Sequence, residues 1–442
     1  MQDAINSLTT VTTGQYITAD LADALINAIN AVYEYEECLV SYYNSQGIYP
    51  NIPPIMTLSP VNKGAIITAY SLNNWNQAIY NEFEGVRLLP FLQYGSESIG
   101  FVSPSPSISA MVSPSPDTAS FVSPSPSITK TTEVTASVFA GYLTSPGHIT
   151  KISPSSMTLI KSLTLPSKQV RVTALVVLSN YLFAGLYASP SYVDKISPSA
   201  LSIISTFTEP GGLTRLMSMT ALSGYIYAGY STRPGKVQKI DASTMELITT
   251  LTMPTDYNGV LSLTSLSGYI FIATVSKPAI FKVSPADMST IAKYSPSSSY
   301  YGLFAVTSLS GYVYAGYNMS PGYVQKINAM SMSLVATFTP PSGHNEVRSL
   351  AVLSGYLYVG YFTSPGYIEK LNVASMGLVS TFTAPSGHIY VDSLTTLSGY
   401  VYAGYGTSPG YVDKINPSSM GLVKTFTAPS GYKGIKALTS YG

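Results

Sequence analysis

The sequence predicts a mainly β chain built around a seven-bladed β-propeller, and three observations predict it. One motif recurs seven times. Aligned on the small pair inside "YVYAG", its last residue falls at Gly141, Gly185, Gly229, Ala273, Gly316, Gly360 and Gly404, at steps of 44, 44, 44, 43, 44 and 44 residues. Each copy also holds four strand-like runs, written in the last cycle as "VDSLTTL", "YVYAGY", "YVDKI" and "LVKTFT". Finally, "IKALTSYG" at 435–442 repeats the first of these runs, whereas the first copy, from about Val134, lacks it.

The runs are strands because they are rich in β-branched and aromatic residues and are separated by "SG", "SPG", "PSS" and "PSG" turns. Four short strands in about 44 residues is the size of a propeller blade. One such sheet cannot bury both faces, but seven arranged radially cover one another. Ile435 and Leu438 fall one period after Val391 and Leu394, so the last run is expected to complete the blade begun by "SVFAGYL" at 137–143. That joint removes the open edge of a linear array. An open solenoid gives no reason for the complementary truncation.

The pattern "YVYAGY…GYVDKINPSSMGLVKTF" resembles the extracellular and archaeal propeller repeats of the YVTN and surface-layer type, over about 134–442. The resemblance implies a propeller at 132–442. It implies little about function, because propellers host binders and enzymes alike.

Residues 1–98 follow a different period. "GQYITADLADALINAI" at 14–29 aligns with "GAIITAYSLNNWNQAI" at 64–79, a step of 50. Thr18 and Thr68 each precede an amphipathic run and fit helix N-caps. The stretch 20–46 reads as one helix with Leu21, Leu25, Ile29 and Val32 on a face. A small duplicated α-helical domain is therefore expected at 1–98. Its Gly-x-x-Ile-Thr-Ala-then-helix pattern is similar to the anchoring pieces of phage and archaeal-virus tail fibres and spikes. Between the two regions, at 99–131, lies a Ser-Pro repeat linker. It carries three copies of Phe/Met-Val-Ser-Pro-Ser-Pro at a step of 10. Ser-Pro alternation forbids helix and favours extended chain. Phe101, Met111 and Phe121 recur along it as candidate docking anchors, with a plain spacer as the alternative.

The totals narrow the function classes. Charged residues are 10% of the chain and the formal net charge is +1. No global field favours nucleic acid or anionic lipid. The single cysteine, Cys38, allows no internal disulfide framework. The start shows no basic region followed by an apolar one, so no signal peptide is expected. The run 172–188 falls inside a repeat and is not expected to span a membrane. Few charges with many Tyr, Ser and Thr suit an acidic exterior, where salt bridges fail. The protein is expected to stay folded near pH ~3.

Catalytic and metal signatures are missing. His148, His344 and His388 are the only histidines, and no His-x-x-His, Cys-x-x-Cys or Glu-x-x-His spacing occurs. Nucleophile elbow, phosphate-loop and dinucleotide motifs are also missing. No catalytic residue, metal or cofactor is expected. Lysine recurs once per blade at Lys151, Lys195, Lys239, Lys282, Lys326, Lys370 and Lys414. The residue before it varies through Thr150, Asp194, Gln238, Phe281, Gln325, Glu369 and Asp413. A required acid–base pair would not tolerate Phe or Thr. By strand alternation Asp413 and Lys414 point to opposite faces, and the lysine stem should pack between blades. Met157, Met245, Met288, Met332, Met376 and Met420, with Leu201, read as one packing knob.

The copies differ most in the loop from the fourth strand to the next blade's first. That rim carries Lys168, Arg215, Asp256, Tyr257, Tyr300, Tyr301, His344, Asn345, His388, Tyr390, Tyr432 and Lys433. Variable loops on a rigid scaffold are where recognition usually sits, and tyrosine gives contact area at low entropy cost. Replacing Tyr300 and Tyr301 by Ala is expected to weaken binding without altering stability. The expectation is a virion structural protein of tail-fibre, spike or turret type. Residues 1–131 would contact other virion proteins within a homo-oligomer or larger assembly. The propeller would bind a host surface protein or glycan, with neither nucleic acid nor a membrane span involved. The alternative is a cell-surface or S-layer propeller. A propeller enzyme would need clustered acids or a metal on the axis, and the carboxylates here are scattered.

Overall fold

The computed structural model describes residues 136–442. The expected helical domain at 1–98 and the linker at 99–131, with Phe101, Met111 and Phe121, lie outside the described residues. Twenty-eight strands, numbered in chain order, form seven four-stranded antiparallel sheets. In the seventh, β24 (Val391–Leu397), β25 (Tyr400–Tyr405), β26 (Tyr411–Asn416) and β27 (Gly421–Thr427) follow one another in a meander. These are the four runs read from the last cycle.

Local turn chemistry writes the meander. In blades three to seven the first two strands are joined by Ser-Gly, with both residues at positive φ, as at Ser398 (49°) and Gly399 (78°), and in the second blade by Ser179-Asn180. That is the type I′ turn, whose twist suits a two-residue hairpin. The methionine position ends the third-to-fourth turn. Met420 and its equivalents are buried at φ values between 45° and 60°. Burying a Met side chain gains roughly 1.5–3 kcal/mol, which offsets the roughly 1–2 kcal/mol that a side chain costs in the left-handed region.

The first strand of each sheet lies innermost. These strands are β4 (Val172–Leu178), β8 (Leu216–Leu222), β12 (Val260–Leu266), β16 (Leu303–Leu309), β20 (Val347–Leu353), β24 and β28 (Ile435–Tyr441). Each neighbours the next around the axis, and β28 touches both β24 and β4. β28 pairs with β1 (Ser137–Tyr142), with Leu438 opposite Ala140. The C-terminal strand thus closes the first blade, as the truncation predicts.

The core is divided among the blade interfaces, one apolar cluster at each. Between the last and first blades, Tyr402, Val412 and Phe426 pack on Val138, Ala140, Ile435 and Leu438. The small pair of the repeat exists because inner strands approach closely. A Cβ on Gly316 would meet Val347 Cγ1 at 2.3 Å.

The recurring lysines staple these interfaces. Lys151 reaches the Pro198 carbonyl at 2.9 Å, Lys239 that of Pro285 at 2.7 Å and Lys370 that of Pro417 at 2.8 Å. The ammonium groups also sit over tyrosine rings, as Lys414 does over Tyr400 at 3.9 Å from the centroid. This is the scaffold role expected for them. Asp413 points the other way, into the sheet interface beneath the opposite rim.

Candidate functional site

Strand direction puts two loops of every blade on one rim: the second-to-third corner and the link to the next blade. Each inner strand starts at this rim and is bulged at its second residue. Pairing skips from Val391 to Ser393 and from Val347 to Ser349, leaving Asp392 and Arg348 unpaired. A bulge re-aims the extra side chain. Here it aims seven of them toward a central channel of about 290 Å³.

These bulge residues are Thr173, Met217, Leu261, Phe304, Arg348, Asp392 and Lys436. Equivalent positions therefore carry apolar groups on blades three to five and charges on blades six, seven and one. Lys436 pairs with Asp392 at 3.0 Å. The Arg348 guanidinium lies between Phe304 and Phe362, 4.4 and 4.5 Å from their centroids, and bonds Glu346 at 2.8 Å. Phe362 stacks in turn on Tyr390, with centroids 4.0 Å apart.

The residue two before each bulge is held in the left-handed region. Three blades place Gly there: Gly259, Gly302 and Gly434, at φ 63–66°. The others place Arg171, Arg215, Glu346 and Tyr390, at φ 54–64°. A side chain there costs roughly 1–3 kcal/mol, and four blades carry one at the channel mouth.

The structure separates the residues expected on the rim. Lys168, Arg215, Asp256, Tyr301 and Lys433 are exposed. Asp256 is paired with Lys277 at 3.1 Å. Tyr390, Asn345, Tyr300 and Tyr432 are half-buried. Asn345 accepts from Ser320 Oγ at 2.8 Å, and Tyr432 packs on His148 and Tyr142. Tyr300 packs on Tyr317 and Tyr323, so Tyr300→Ala would disturb the blade. Of the rim tyrosines described, Tyr301, 59% exposed, is the one without such packing.

Tyr257, His344 and His388 are buried. Their side chains turn down into the blade, where polar partners wait. His344 Nδ1 lies 2.7 Å from Glu369, and Tyr361 donates to the same carboxylate. His388 Nδ1 lies 2.9 Å from Asp413, which also accepts from Thr425 at 2.6 Å. Tyr257 accepts from Lys293 at 2.7 Å and meets Phe281 edge-on. These loop residues therefore cap the variable residue that precedes each lysine. In the second blade the cap is Gln169, which donates to Asp194 at 3.0 Å. Burial pushes the Asp194 carboxyl up to about 6, against hydrogen bonds from Thr206 and Gln169. Burial also raises Glu369, opposed by Tyr361 and His344.

Sequence reading missed the bulge residues, together with Arg233 and Lys236 beside Arg215. The signal was present as departures from the repeat. Position two of the inner strand is never the same residue twice. Arg233 stands where other corners have Ser145, Ser189, Ser320, Ser364 and Ser408. Among the described residues no three His, Cys, Asp or Glu side chains are placed to hold a metal ion.

No protein-family model and no curated protein sequence matches the chain. Among solved structures it is similar to the computationally designed Ika8 protein, at 12% identity over 68% of this chain and 86% of that one, with a TM-score of 0.50. It is also similar to a chain of the Mitotic Checkpoint Complex, at 19% identity over 60% and 79%, with a TM-score of 0.50. At these identities the likeness is one of fold alone.

Proposed function

We propose that the chain is a non-catalytic attachment protein whose propeller presents its loop rim to a host surface protein or glycan. Residues 1–131 join it to other proteins of a virus particle. One observation carries the reading. Within one chain the lysine staples, methionine knobs and Ser-Gly turns recur from blade to blade, while the rim positions diverge and tolerate left-handed side chains. A scaffold held constant beneath a variable face fits recognition. The buried carboxylates Asp194, Glu369 and Asp413 have partners inside the blades, which supports a structural role for them.

The test uses the full chain, fluorescently labelled, on intact host cells. Tyr301→Ala and Lys433→Ala on the rim should weaken binding, and Ser418→Ala on the opposite face should not. Equal loss from both faces, or none from the rim, contradicts the reading. The likeness to YVTN and surface-layer repeats favours a second reading, a cell-surface propeller of an archaeon or bacterium. Finding the chain in the cell envelope of uninfected cells would select that one.

A further inference from the structure

We infer that the groove between the third and fourth blades binds an anionic saccharide, one bearing carboxylate or sulfate groups. The inference rests on the loop rim being the recognition face and names its ligand class. The groove encloses about 510 Å³ on that rim, within the range of small-ligand sites. Arg215, Arg233 and Lys236 line it. Among the described residues none of the three side chains is held by a hydrogen bond or ion pair, whereas nearby Lys277 is neutralised by Asp256.

All three are basic where several other blades carry an uncharged residue, and only the Arg215 position is arginine in a second blade, at Arg171. Arg215 stands at φ 64°, where blades four, five and one have Gly259, Gly302 and Gly434. Arg233 replaces the serine of five other corners, the fourth blade having Lys277 there. Lys236 opens its strand where Tyr192, Tyr367 and Tyr411 open theirs. Three unrelated repeat positions have each become basic, and the fold brings them to one groove.

The rest of the lining selects a saccharide over an acidic peptide. Thr232, Asn258 and Ser276 contribute polar groups, and no aromatic side chain offers the apolar anchor that protein partners favour. The floor is pre-formed. Gly259 N–H donates to the Thr232 carbonyl at 3.0 Å, and Gly235 N–H to that of Tyr257 at 2.9 Å. A guanidinium fork matches a carboxylate or sulfate with two parallel bonds.

The repeat itself provides variants that should fold: Arg215→Gly, Arg233→Ser and Lys236→Tyr each install the residue used elsewhere in the ring. The full chain is titrated with oligogalacturonate, dextran sulfate oligosaccharide and neutral dextran, at two salt concentrations. At least one anionic probe should bind, weakening as salt rises, and the preferred probe distinguishes carboxylate from sulfate. Each arginine variant should lose about tenfold in affinity, the size of one charge-assisted contact. Lys161→Ala and Lys424→Ala, exposed cations on the outer strands Leu159–Thr164 and β27, should change nothing. Binding that the groove variants leave intact, equal loss from the distant lysines, or no binding of either anionic probe overturns the assignment. Host-cell binding measured on the same variants keeps the two readings apart. If it survives the groove variants but not Tyr301→Ala, only the groove assignment fails.

Discussion

The Lys414 ammonium donates to the Pro154 carbonyl at 2.7 Å, across 260 residues of chain. The joint between the last and first blades is thus built like the joint between Lys370 and Pro417, or Lys151 and Pro198. Burial lowers the Lys414 pKa, yet the carbonyl and the Tyr400 ring give the charge a seat. Lys414→Met keeps the stem and removes the bond, and should cost about 1–3 kcal/mol in urea unfolding. The same change at Lys370 should cost a similar amount, because both staples are alike.

Closure by β28 should be indispensable. Deleting 435–442 strips β1 of one of its two partners and uncovers the Val138 and Leu182 sides of two interfaces. An unpaired edge beside apolar surface favours association. The truncated chain should aggregate on size-exclusion chromatography, and adding the 435–442 peptide in trans should restore part of the soluble fraction.

Gly316→Ala should destabilise the ring by about 1–3 kcal/mol, since the new methyl must displace the stiff Val347 side chain. Gly377→Ala is the control. Its Cβ would meet only Ser375, at 3.2 Å, on an outer strand, and it should shift stability by less than about 0.5 kcal/mol. Parallel thermal melts decide between them.

Asp194 should make the protein more stable in mild acid. Its carboxyl titrates at about 6 when folded, against an ordinary value of 3.8. Across that interval the folded state holds a proton that the unfolded chain releases. Stability therefore rises as pH falls through the window and is lost as pH rises through it. The full swing is about 3 kcal/mol. Protonation also turns Asp194 Oδ2, buried without a partner, into a donor, and Gln169 Oε1 is likewise unpartnered. Asp194→Asn should flatten the slope between pH 4 and 6 in denaturant melts, about where linkage places it.

Strand order, ring closure, lysine staples and methionine knobs were legible because each repeats and repetition reports packing. Asp413 and Lys414 were assigned to opposite faces by alternation alone. Rim side-chain direction was not legible. Tyr257, His344 and His388 sit in loops that read as exposed, yet each turns inward to a residue 24 or 25 positions later, the one preceding a blade lysine. Only the folded loop shows that a His in "PSGH" has an acid beneath it. The channel set was hidden for another reason. A bulge breaks the period-2 rule, so strand alternation does not show that Asp392 and Arg348 reach the channel.

The most direct measurement of the central claim is electron cryo-microscopy of the native assembly that contains this chain. The account predicts the propeller's loop rim, with Tyr301 and the Arg215 groove, facing outward from the particle and residues 1–131 making the contacts to its other proteins. A rim sealed against neighbouring subunits, or a chain found only as a free monomer, would contradict it.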